Sequence, residues 1–147
     1  MDLIWGIFLT VLTLIGWLGQ VIYAISPKLA ARLGIGEAES DVDPVFYIDA
    51  RGEAIWDALI IWTLPVAGIL LMLSNPLWIY FALLGGGSYL YFSGRNLITR
   101  SMMQRHGIRI GTPNNIRAAY LFCTLWGLAA VITIVMALVE INYSWIM

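Results

Sequence analysis

A chain of 147 residues that is 61% hydrophobic and only 12% charged cannot cover a water-facing surface, because a soluble domain is about a quarter charged. A net charge of −1 gives no electrostatic basis for a nucleic-acid partner. The one cysteine, Cys123, excludes an internal disulfide or a dithiol centre carried by this chain alone. With a mean hydropathy of +0.83 and the length of a single domain, the composition predicts an integral membrane protein in which residues 1–147 form one unit.

In chain order, four apolar runs reach the length of about 20 residues that a bilayer span needs. They cover residues 3–25, 54–73, 77–94 and 118–139. Trp5, Trp78, Tyr80, Tyr143 and Trp145 stand at run ends, as an interfacial aromatic belt would. The N-terminus has no basic n-region and no small-x-small cleavage site, so no cleavable signal peptide is expected. Ser26-Pro27, Asp43-Pro44, Asn75-Pro76 and Thr112-Pro113 each read as an N-cap followed by proline at the first helical position. A short interfacial helix is therefore predicted from Pro27 to about Leu33, stopped by Gly34. The stretch from Glu37 to Asp43 reads as a solvated acidic loop. The second long helix should begin at Pro44 and kink at Pro65, which frees the Ile61 carbonyl. The fold class is thus an all-α membrane bundle of four spans plus one interfacial helix.

Charge orients the bundle. With four spans, the connections at 26–53 and 95–117 share a side, and all 8 Lys and Arg residues fall there. The positive-inside rule places those connections in the cytoplasm and both termini outside it.

The tight turn at Ser74-Asn75 makes the second and third helices an antiparallel hairpin. Asp57 lies 18 residues before Asn75 (75 − 57) and Arg95 lies 20 after it (95 − 75). At 1.5 Å per residue their Cα atoms fall within about 3 Å of one depth. Glu53 is one turn above Asp57 on the same face, with Asp49 a turn higher and Arg100 level with it. Tyr91 is one turn deeper than Arg95. Arg117 and Asn115 enter this layer on the fourth helix, and Gln20 on the first. Gln20, Glu53, Asp57, Tyr91, Arg95, Asn115 and Arg117 form the candidate site. Charges at membrane depth face the bundle interior in pairs, so Asp57 is expected to pair with Arg95. Glu53 is the alternative partner of Arg95, and Arg117 of Asp57. The layer either clamps the helices or lines a pocket for a lipid head group, a quinone or another amphiphile. The nearby arginines weigh against a catalytic carboxylate, and no catalytic residue is assigned.

Gly85-Gly86-Gly87 has no Lys-Ser/Thr and lies at membrane depth, so it predicts close helix packing, not a phosphate loop. His106 is the chain's 1 histidine, which leaves no bis-histidine haem and no His-based metal site, and no cofactor is expected. Arg100, Arg105 and Arg109 are placed to attract anionic lipids.

Ser26-Pro27-Lys28-Leu29, then Leu33-Gly34, an acidic helix start and three further spans resemble the layout of small bacterial four-helix membrane proteins of the DoxX-like kind. The segments 49–57 and 89–100 are the more distinctive parts. The resemblance implies a bacterial inner-membrane address and a helical bundle, and it transfers no activity. Two functions are expected from different classes. One is a non-enzymatic accessory subunit or scaffold of a larger membrane complex, with lipids and other subunits as partners. The alternative is a binder or carrier of an amphiphile that uses the polar layer.

Overall fold

The computed structural model describes residues 2–146, with side chains as far as residue 142. The helices are α1 (Asp2–Ile25), α2 (Pro27–Arg32), α3 (Pro44–Ile60), α4 (Thr63–Met72), α5 (Trp78–Arg105) and α6 (Pro113–Ile146), with a 3-10 turn at Glu39–Asp41. Among the described residues no strand forms beyond one isolated bridge, Val42 with Ile110.

Three stretches are long and apolar enough to cross a membrane: Asp2–Ile25, Pro44–Met72 and Pro113–Asn142. The expected third span, 77–94, lies in α5, which falls short on apolarity. The reason is its place in the bundle. α5 packs on α4 and α6 and touches α3, and it buries Gly85, Gly86, Tyr89, Ser93 and Asn96. The face of a helix that packs on neighbours need not be greasy; it must fit and satisfy its polar groups.

At the expected Pro65 kink the helix is interrupted for two residues, Ile61 and Trp62, both still in right-handed helical backbone. α3 ends at Ile60 and α4 starts at Thr63, with Pro65 in the first turn of α4. Four successive carbonyls lose their usual helical donors here, and each finds another, Ala58 from Trp17 Nε1 at 3.0 Å. Leu59 accepts from Trp62 Nε1 at 2.9 Å, Ile60 from Thr63 Oγ1 at 2.9 Å, and Ile61 from the Leu64 amide at 3.4 Å. The break seats on α5. A Cβ added at Gly85 would lie 2.5 Å from Leu64 N, and one at Gly86 would lie 2.6 Å from Ile134 Cγ1 of α6. The glycine run is therefore a packing surface in a continuous helix.

The caps follow the sequence at Ser26 and Thr112; Asn75 closes the turn before α5, whose first residue is Trp78, so Pro76 is not at the first helical position. Ser26 Oγ accepts from Leu29 N at 3.4 Å, Asn75 Oδ1 from Leu77 N at 3.0 Å, and Thr112 Oγ1 from Asn115 N at 3.4 Å. Asp43 makes no cap bond. Its carboxylate instead accepts from Arg109 N at 2.7 Å and from Arg109 Nε at 3.3 Å. The acidic stretch is solvated at Glu39, Ser40 and Asp41, but not throughout. Val42 is buried against Ile110, and Glu37 is buried as well.

The indole and phenol groups do more than mark an interface. Trp78 is buried, and Trp5 Nε1 donates to Thr133 Oγ1 at 3.3 Å. Tyr143 and Trp145 lie outside the side chains described. Trp126 Nε1 donates to Leu12 O at 2.9 Å, Trp17 Nε1 to Ala58 O at 3.0 Å, and Tyr89 OH to Thr13 O. These bonds tie α1 to α3, α5 and α6. One apolar core fills the bundle around Leu9, Leu64, Ala82 and Tyr89. A second, around Tyr23, Ala30, Phe46 and Ile110, lies under the two connecting loops at the basic end.

Candidate functional site

Arg95 sits between two carboxylates of α3. Its Nη2 donates to Asp49 Oδ1 at 2.6 Å. Its Nη1 stands 2.7 Å from Glu53 Oε1 as an ion pair, off the axis of a hydrogen bond. The expected Asp57–Arg95 pair does not form, and the Glu53 alternative does. Asp57 is buried at 2% exposure, and its Oδ2 has no hydrogen-bond partner. Equal depth was not sufficient because an arginine stretches its stem toward the wetter end of a helix, where Glu53 and Asp49 stand one and two turns beyond Asp57. Arg117 is exposed and pairs with no carboxylate among the described residues, and Tyr91 is 64% exposed. Helical phase turns both away from the interior.

Asn96, one residue after Arg95, joins this group to a second ion pair. Its Nδ2 donates to Glu53 Oε1 at 3.0 Å and to Phe92 O at 3.1 Å. Its Oδ1 accepts from Arg100 Nε at 3.4 Å. Arg100 Nη1 in turn donates to Glu37 Oε1 at 2.8 Å, and its guanidinium lies over the Phe46 ring, 4.9 Å from the centroid. Arg100 therefore meets Glu37, not Asp49. Room for Glu37 comes from Gly111, at φ +130°, where an added Cβ would lie 2.9 Å from Glu37 Cγ. Both features favour glycine there.

Beside this second pair is a cavity of about 230 Å³. Gln20, Glu37, Asn96, Arg100 and Asn115 form its polar part, and Ile15, Phe92, Phe122 and Trp126 its apolar part. α1 and α6 flank it, joined beside it by the Trp126 Nε1 bond to Leu12 O. Gly19 faces it with nothing within 4 Å of an added Cβ. Cys123 is buried and lines the same space.

Of the seven candidate residues, the structure brings Gln20 and Asn115 to the cavity. Glu53 reaches it through Asn96. Arg95 stays behind Glu53 in the clamp, Asp57 is interior but outside the lining, and Tyr91 and Arg117 point away. Sequence reasoning missed Glu37, Asn96 and Arg100 as lining residues. The i,i+4 spacing of Asn96 and Arg100 was a usable signal. The Glu37 pairing spans 63 residues and had none.

The fold and site together define a helical bundle with an apolar exterior and a polar-floored cavity at its basic end. The chain matches no protein family, no curated protein and no solved structure.

Proposed function

We propose that this chain is a four-span bacterial inner-membrane protein, with both termini outside the cytoplasm, that binds an amphiphile in the cavity between α1 and α6. The observation behind this reading is the cavity's polarity along its length. The Arg100–Glu37 pair with Asn96 offers a polar floor, and Ile15, Phe122 and Trp126 offer apolar walls. Roughly 300–1,000 Å³ is usual for a site that encloses a whole drug-sized ligand, so about 230 Å³ suits a head group whose tail leaves between the helices. The outward faces of α1 and α6, with Ile4, Ile7, Val11, Val131 and Val135 exposed, are apolar enough to meet lipid tails alongside it.

The test is mass spectrometry of protein purified in mild detergent, wild type against Gly19→Leu. A Cβ at Gly19 meets nothing within 4 Å, and the residue lines the cavity, so a leucine there is placed to fill it. The wild type should carry a stoichiometric small amphiphile, and the folded variant should carry none. Retention by Gly19→Leu would place the molecule elsewhere and overturn the reading. The rival is the accessory subunit or scaffold, supported by the small mass outside the helices. A stoichiometric protein partner and no small molecule on the wild type would decide for it.

A further inference from the structure

We infer that the head group bound in this cavity is uncharged, planar and about one ring in size, with carbonyl or hydroxyl oxygens. This rests on the amphiphile reading above. Charge balance in the lining disfavours an anionic head group. Glu37 and Arg100 are the formally charged residues of the lining, and they neutralise each other at 2.8 Å. Arg100 is further engaged with Asn96 Oδ1 and the Phe46 ring. A phosphate would find no uncompensated cation. To gain Arg100 it would have to displace Glu37 and strand a buried carboxylate, which is costly.

The hydrogen-bonding capacity that is left favours carbonyl or hydroxyl oxygens. Asn96 has spent both amide protons on Glu53 and Phe92 O. Gln20 and Asn115 line the cavity from α1 and α6, and their side-chain amides hold no hydrogen bond among the described residues. Each amide donates and accepts, so oxygens on opposite edges of a ring suit them. The wall's shape points the same way. Phe92 and Phe122 flank Trp126 with ring centroids 5.7 Å and 5.5 Å away, an aromatic wall that favours a flat partner.

The experiment is a thermal shift on delipidated protein in mild detergent with three probes: a decyl-substituted benzoquinone, dioctanoylglycerol and dioctanoyl phosphatidylglycerol. The benzoquinone should raise the melting temperature of the wild type by about 3 °C or more, and the rise should vanish in Gly19→Leu. The other two probes should give less than half of it. A larger shift with dioctanoylglycerol would overturn the planar ring. An equal or larger shift with phosphatidylglycerol would overturn the uncharged head. In both cases loss of the shift in Gly19→Leu keeps the cavity reading. No shift with any probe, or shifts that persist in Gly19→Leu, would sink that reading itself. Glu37→Gln leaves Arg100 unbalanced, so phosphatidylglycerol should gain at least tenfold in apparent affinity there. Unchanged affinity in the folded variant would count against charge balance as the selector. If Glu37→Gln does not fold, the wild-type comparison decides alone.

Discussion

Arg95 shows how position along a helix and reach of a side chain divide the work. Its depth was readable from the turn at Asn75, yet its partners are Asp49 and Glu53, because the stem extends toward the wet end. The side chains of Arg95 and Asp49 are 28% and 30% exposed, and that of Glu53 is 12% exposed. The group therefore lies between a surface pair, worth under about 1 kcal/mol, and a buried one, whose rupture costs about 3–5 kcal/mol. Arg95→Ala should cost about 2 kcal/mol by thermal melting in mild detergent. The Arg95→Ala/Glu53→Ala double should lose clearly less than the sum of the singles, and strict additivity would show that the contact is not coupled. Asp57 Oδ2 has no bond to lose, so Asp57→Asn should melt close to the wild type. A drop as large as that of Arg95→Ala would mean the carboxylate has a partner after all.

The helix break at residues 61–62 and the glycines of α5 depend on each other. The break exposes carbonyls that Trp62, Thr63 and Leu64 satisfy locally, and the turn then needs a helix surface without side chains to lie against. Gly85 provides it. Gly85→Ala must push on the backbone of Leu64, and overpacking of this kind costs about 1–3 kcal/mol. Gly87 has nothing within 4 Å of an added Cβ, so Gly87→Ala should be neutral or gain up to about 1 kcal/mol from helix propensity. Comparison of the two melting temperatures checks this, and equal effects would mean that the contact at Gly85 relaxes freely. The same logic explains the one apolar run that fails as an evident span. α5 buries its small and polar residues, Gly85, Gly86, Ser93 and Asn96, and packs chiefly on α4 and α6.

At the scale of the molecule, the two connections at the basic end fold into one cap. The Val42–Ile110 bridge, the Asp43–Arg109 contacts and the Arg100–Glu37 pair join segments far apart in sequence. Arg51 Nη2 adds a bond to Ala24 O near the end of α1, at 3.3 Å, where helix carbonyls lack amide partners. Every Lys and Arg belongs to this end or to the helix ends entering it. With four spans in a membrane, the positive-inside rule makes this the cytoplasmic end. A reporter active only in the cytoplasm, fused after Met147, should then be silent, and the same reporter inserted at Gly107 should be active. The opposite pattern would reverse the proposed orientation.

The sequence by itself determined the helical class, two helix caps, the apolar exterior and the gathering of cations at one end. Those properties are local, or follow from composition, and each can be read from a few neighbouring residues. Only the tertiary structure decided that Arg95 turns to Glu53 and Asp49, that Glu37 is buried on Arg100, and that Gln20 and Asn115 share a cavity with Trp126. Helical phase, the break before Pro65 and the docking of two loops set those meetings. Each depends on the relative placement of separate helices, which spacing along one helix does not encode.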